Sequence, residues 1–139
     1  EDIYLIASNE HYIPLGKNLK KCIILVNDSN NNFIDQTNLT FLENILKAID
    51  YSLGDISLIN FHHYKISFQK IKEQYNPKHI ILFDVNAFQL GIEDEHILQY
   101  ESTQIENIQL ISAESLTIIQ NNIDKKKALW MALQRIFIN

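Results

Sequence analysis

The chain has 139 residues, the length of one domain, and its 46% apolar and 21% charged content is an ordinary globular balance that supports a buried core without staples. The formal net charge of −5 excludes whole-surface attraction to nucleic acid, which needs a basic face, and leaves local patches only at Lys17, Lys20 and Lys21 and at Lys125, Lys126 and Lys127. The single Cys22 excludes an intrachain disulfide and fits a reducing compartment, and no apolar run approaches the ~18 residues of a membrane span, so a cytoplasmic protein without membrane contact or signal peptide is expected.

Asp2-Ile-Tyr-Leu-Ile-Ala reads as a short first strand ending at Ser8-Asn9-Glu10. Pro14, Gly16 and Asn18 predict a loop. Gly16-Lys17 is not a phosphate loop, because the GxxxxGK[ST] frame is absent and Asn18 stands where the hydroxyl residue belongs. Lys21 to Val26 is continuously apolar, the pattern of a central strand covered on both faces, and Asn27 to Asn32 is the polar loop after it. Cys22 lies inside this run and reads as a buried, inert thiol.

Thr37 or Asn38 is the expected cap of an amphipathic helix whose Leu39, Leu42, Ile45, Leu46, Ile49 and Leu53 follow the 3.6-residue period, with Gly54 just past its end. Asp55 to Phe61 alternates as a strand. Ser67 opens a short helix carrying Phe68, Ile71 and Tyr75 on one face, and Asn76-Pro77 stops it. His79 to Val85 is a second fully apolar strand, and Asn86 to Gly91 a loop or single helical turn. His96 to Tyr100 and Ile105 to Ile111 are expected as two further strands, paired with each other.

Two short helices meet at Asn121-Asn122 and close the chain. Leu116, Ile119 and Ile123 share a face on the first; Asp124 caps the second, whose apolar positions are Leu129, Leu133, Ile136 and Phe137. Strands alternating with helices predict a single three-layer α/β/α domain, with a small parallel or mixed sheet, right-handed crossovers and the two C-terminal helices packed on it.

Candidate chemistry is sparse. Asp28 and Asp84 each follow an apolar strand, and functional groups in open α/β folds gather at the carboxyl ends of strands. Both read as caps of turns or helices. The alternative makes them Mg²⁺ ligands of a small α/β enzyme or a receiver-like signalling domain. A receiver also requires paired acids after its first strand, a hydroxyl residue after its fourth and a Lys after its fifth, and these are not placed here. His62 and His63 are adjacent on an extended chain and point apart, while His11, His79 and His96 are scattered, so no metal set is expected. There is no G-x-S-x-G elbow, and three glycines leave little of the loop that cradles a cofactor. A non-enzyme with no cofactor is therefore expected. Phe88, Leu90 and Ile92, just past a strand, either fold back into the core or form a partner contact. Lys125, Lys126 and Lys127 are a solvated helix face or a small patch for an acidic partner.

Leu116, Ile119, Asn122, Lys126, Ala128, Leu129 and Trp130 match, without a gap, the spacing of Leu, a Leu-like residue, Asn-Pro, a basic residue and Ala-Leu-Trp that ends the psi subunit of bacterial DNA polymerase III. The chain resembles that family. The strand Asp2 to Ala7, the strand Cys22 to Val26 followed by Asn27-Asp28, and the helix Leu39 to Leu53 also follow the family's order, although the specific likeness covers only about fifteen residues at the end. Ile123 stands where the family usually has Pro, and Ala113-Glu114 where it usually has Ser-Pro. The resemblance implies a non-catalytic adaptor of the replicative polymerase. In that family a flexible N-terminal tail binds the clamp loader, and the folded body binds the chi subunit, which contacts single-stranded DNA-binding protein. Direct sequence-specific nucleic acid binding is not implied. Glu1 would lie near the start of the body, with the tail missing or very short. Within the matching stretch, Leu129 reads as core and Trp130 as docked on the neighbouring helix, its N–H reaching a polar partner.

Overall fold

Three apolar runs form the centre of the sheet. In a computed structural model, which describes residues 12–94 and 96–138, β2 (Cys22–Val26) lies between two parallel neighbours, β3 (Ile56–Asn60) and β4 (His79–Phe83). Every residue of β2 and β3 is buried, as expected for strands covered on both faces. The predicted strand Asp2 to Ala7 lies outside the described residues.

The sheet is six-stranded and mixed. β1 (Leu15–Gly16) pairs antiparallel with β3 at one edge, in a segment expected to be loop. β6 (Ile108–Ala113) runs parallel to β4, and β5 (Thr103–Ile105) pairs antiparallel with β6 at the other edge, giving the order β1-β3-β2-β4-β6-β5. The expected pairing of His96–Tyr100 with Ile105–Ile111 does not form. Glu106 and Asn107 both take positive φ (49° and 73°), so the run folds on itself as a tight two-residue hairpin between β5 and β6. His96–Tyr100 contributes one isolated bridge, Gln99 to Ser112.

The helices are α1 (Gln36–Ala48), α2 (Phe68–Tyr75), α3 (Leu116–Gln120) and α4 (Ile123–Phe137). Two caps differ from expectation. Asp35, not Thr37 or Asn38, caps α1: its Oδ1 accepts the Asn38 N–H at 2.8 Å, the geometry an N-cap needs three residues ahead of its donor. Asn122, not Asp124, caps α4, with Oδ1 accepting the Asp124 and Lys125 N–H groups at 3.0 and 3.1 Å. α1 also stops earlier than its periodicity suggests. The Ile49 N–H turns back to the carbonyls of Leu46 and Lys47, and Asp50 takes φ 62°. Leu53 and Gly54 therefore belong to a separate 3-10 turn, Leu53–Asp55. Ser67 caps α2 as expected, and Asn76 ends it in the left-handed region at φ 45°.

The alternation of the strands feeds two cores. Cys22, Ile24, Val26, Leu58, Ile81, Phe83 and Ile111 face α1, α3 and α4, which contribute Leu42, Leu46, Leu116, Ile119, Leu129, Ala132 and Leu133. Ile23, Leu25, Ile59, Ile80, Leu82 and Leu110 face α2 and the 3-10 turn Ala87–Leu90, which contribute Phe68, Ile71, Ala87 and Leu90. The architecture is thus the three-layer α/β/α arrangement, with α1 covering one face and α2 the other. The chain leaving β4 enters the 3-10 turn Ala87–Leu90 on the α2 face, whereas the chain leaving β6 enters α3 on the α1 face, so the two diverge. A crevice opens beside the carboxyl ends of β4 and β6.

Candidate functional site

The carboxyl end of the sheet is held together by one buried side chain. Asn60, fully buried, ends β3. Its Oδ1 accepts the Asp28 and His62 N–H groups at 3.0 and 3.2 Å. Its Nδ2 donates to the carbonyls of Asp28, Asn31 and Asn32 at 2.8, 3.0 and 3.3 Å. The polar loop after β2 needs backbone partners, and Asn60 supplies them. Asp28 completes the loop. Its carboxylate accepts the N–H groups of Asn30 (2.9 Å) and Asn31 (3.1 Å) and the Asn31 side-chain amide. Asp28 is therefore a turn cap, engaged within its own loop. Asp84 is exposed at φ 61°, and its N–H donates to the Ala113 carbonyl at 3.0 Å. Both acids line a small cleft of about 300 Å³. Among the described residues, no group of three or more His, Cys, Asp or Glu side chains is arranged to hold a metal ion.

A larger cleft, of about 1260 Å³, lies beside β4 and β6, with Ser112 and Ala113 among the residues that line it. Phe88 and Gln89 of the 3-10 turn line it as well, as does Ile118 of α3. The three apolar residues expected to act together past β4 are split by this geometry. Phe88 is 70% exposed, whereas Leu90 and Ile92 are buried in the second core. A 3-10 turn places Leu90 inward and leaves Phe88 outward, so Leu90 and Ile92 are not available as partner contacts. Only Phe88 is.

The two C-terminal helices form the second surface. Leu116, Ile119 and Leu129 are buried under 5% exposed each, and Asn122 caps the turn between the helices. Trp130 departs from expectation. It is 37% exposed, and among the described residues its indole N–H makes no hydrogen bond to protein. One helical step from Leu129 rotates Trp130 off the buried face. Ile123, Met131 and Ile138 are 68%, 53% and 51% exposed, and with Trp130 they recur at i, i+7, i+8 and i+15 along α4. That spacing puts the four in one outward sector, with Lys127 and Gln134 between them, so α4 carries a mixed apolar and polar outer stripe opposite its buried face. The stripe was legible in the sequence as a second periodic set, masked there by the stronger pattern of Leu129 and Leu133.

The lysines beside it differ in role. Lys125 is paired with Glu114, and Tyr100 donates its hydroxyl to the same carboxylate at 2.8 Å. These contacts pull the Glu114 carboxyl below its ordinary range, the Lys125 bond first, while burial and Glu114 push the Tyr100 hydroxyl up to about 12. Lys125 is therefore tied to the end of β6 and is not free for an acidic partner. Lys126 is exposed, with its ammonium 6.0 Å from the Phe41 ring centre. Cys22 is fully buried, and burial alone pushes its thiol up to about 12, so it is an uncharged, inert core thiol at neutral pH. His79 is half-buried against Phe137, ring centres 4.5 Å apart, and burial holds its pKa below the usual histidine value.

Set against known proteins, the chain matches no family model, and no curated protein is similar enough to it to count as a match.

Proposed function

We propose that this chain is a non-catalytic accessory subunit of a replicative DNA polymerase holoenzyme, similar to the psi subunit of bacterial DNA polymerase III. It works in the cytoplasm as a protein–protein adaptor between the clamp loader and a chi-like partner that contacts single-stranded DNA-binding protein. It does not itself read DNA sequence. The observation that carries the reading is the two-sided C-terminal helix. The residues that resemble the psi motif divide between a packed face (Leu116, Ile119, Leu129) and an exposed one that includes Trp130. A helix with its inner face sealed to the sheet and Ile123, Trp130, Met131 and Ile138 outward suits a partner surface, and aromatic and Met side chains are enriched in such patches. The folded body meets the chi-like partner through this stripe.

The test is affinity capture of the tagged full-length protein in its own organism, with mass spectrometry of what is retained. Clamp-loader subunits and a chi-like protein are expected. Their reproducible absence would refute the assignment. Ile123→Ser combined with Met131→Ser should abolish capture of the chi-like protein while the melting temperature stays close to that of the parent, because both side chains are more than half exposed.

A further inference from the structure

We propose that the cleft beside β4 and β6 receives an extended, basic segment of a partner protein that carries an apolar side chain. The cleft, about 1260 Å³, exceeds the ~300–1,000 Å³ typical of small-molecule pockets, and its size suits a stretch of chain. Its charge is one-sided. Asp84, Glu93, Asp94 and Glu114 line it, together with His96, and no Lys or Arg does. Glu114 is already held by Lys125. Asp84, Glu93 and Asp94 have no ion-pair partner among the described residues, so the carboxylates facing the cleft await cations. The same charges repel a phosphate backbone, which favours a polypeptide over a nucleic acid.

Two further features select what the basic segment carries. Phe88 and Ile118 line the cleft from the 3-10 turn and from α3, 70% and 47% exposed. A side chain of the partner that covers both removes apolar surface from water. Ser112 also lines the cleft. It is only 8% exposed, yet its hydroxyl has no hydrogen-bond partner among the described residues. The hydroxyl oxygen is not sealed from water, as the unpartnered Asn18 Oδ1 and His79 Nδ1 are, so it opens onto the cleft, where a backbone amide or carbonyl of a docked segment can bond it. The cleft is separate from the α4 stripe, so this inference stands whether or not the chain serves in replication.

The experiment is fluorescence anisotropy of the full chain with a labelled peptide of alternating arginine and leucine containing one phenylalanine. The control is the same peptide with glutamate in place of arginine. Saturable binding of the basic peptide alone is expected. Glu93→Gln with Asp94→Asn should weaken it about tenfold, as loss of close charge pairs at an interface does. Phe88→Ala should weaken it as well. Glu43→Gln with Glu73→Gln removes the same charge from α1 and α2 and should leave the affinity unchanged. Equal losses from the two double variants would reduce the effect to net charge and overturn the proposal. So would equal binding of the acidic peptide, or no binding of the basic one. Self-association of the chain that Glu93→Gln with Asp94→Asn dissolves would assign the cleft to a second copy, and that result also overturns it.

Discussion

Asn60 shows how much one polar side chain can organise. Five hydrogen bonds converge on its amide, four of them from or to the loop Asp28–Asn32 and its anchor, and the side chain is sealed from water. Asn60→Ala leaves buried backbone donors and acceptors unpaired, so it should destabilise the fold by about 3 kcal/mol, read from urea unfolding. A loss under ~1 kcal/mol would mean that water replaces the amide. Two glycines with positive φ should separate in the same assay. A Cβ on Gly16, at φ 104°, would sit 2.1 Å from the Ile56 carbonyl oxygen and 2.6 Å from that of Leu53. Both are backbone atoms that have nowhere to move, so Gly16→Ala should cost about 3 kcal/mol or more. A Cβ on Gly91, at φ 89°, meets nothing within 4 Å. Gly91→Ala should cost only about 1 kcal/mol, the backbone term alone.

The C-terminal helix is defined by its start. Asn122 Oδ1 satisfies two of the first free N–H groups of α4, and the same turn brings Lys125 round to Glu114. Asn122→Ala should lower stability by about 1 kcal/mol, the usual worth of a side-chain cap, in a denaturant titration. Asn122→Asp should restore it, since a carboxylate accepts the same two N–H groups and suits the positive end of the helix dipole. Failure of that rescue would show that Asn122 acts through its amide hydrogens rather than as a cap. At the other end of α4, Phe137 packs edge-on against Tyr51 and beside His79, ring centres 5.2 and 4.5 Å away. The helix therefore crosses the sheet from the carboxyl end of β6 to the amino end of β4.

For the molecule as a whole, the two clearest shifts among histidine and carboxylate groups act in the same direction. His79 has a folded pKa below its usual 6.5, because burial disfavours the imidazolium. The unfolded chain then binds a proton that the folded one refuses, so stability is full above about 6.5 and declines as pH falls toward the folded value. Glu114, held below its usual 4.5 by Lys125 and Tyr100, adds stability above that value, lost as pH falls through the folded pKa. Of these two effects, the His79 one operates between pH 7 and pH 5.5, above the range of Glu114. His79→Gln should flatten the stability–pH curve over that interval, measured by denaturation at fixed ionic strength, and an unchanged slope would assign the acid sensitivity elsewhere.

Composition and periodicity were enough to determine the layers of this protein. Continuous apolar runs at Cys22–Val26 and His79–Phe83 require cover on both faces, and the 3.6-residue spacing of Leu42, Leu46, Leu129 and Leu133 supplies helices to provide it. These signals survive because burial of apolar area is additive along the chain and independent of partner identity. What the tertiary structure alone decided depends on groups distant in sequence. Asp35 and Asn122 became caps because hydrogen-bond geometry, not residue type, chooses among several competent neighbours. Leu90 turned inward and Phe88 outward because a 3-10 turn, not a strand or α-helix, set their directions. Asn60 is ordinary in the sequence and central in the fold, since its partners lie about thirty residues away and only sheet register brings them to it. The acidic cleft has the same origin: Asp84, Ser112 and Ile118 meet only where the chain leaving β4 turns to one face of the sheet and the chain leaving β6 to the other.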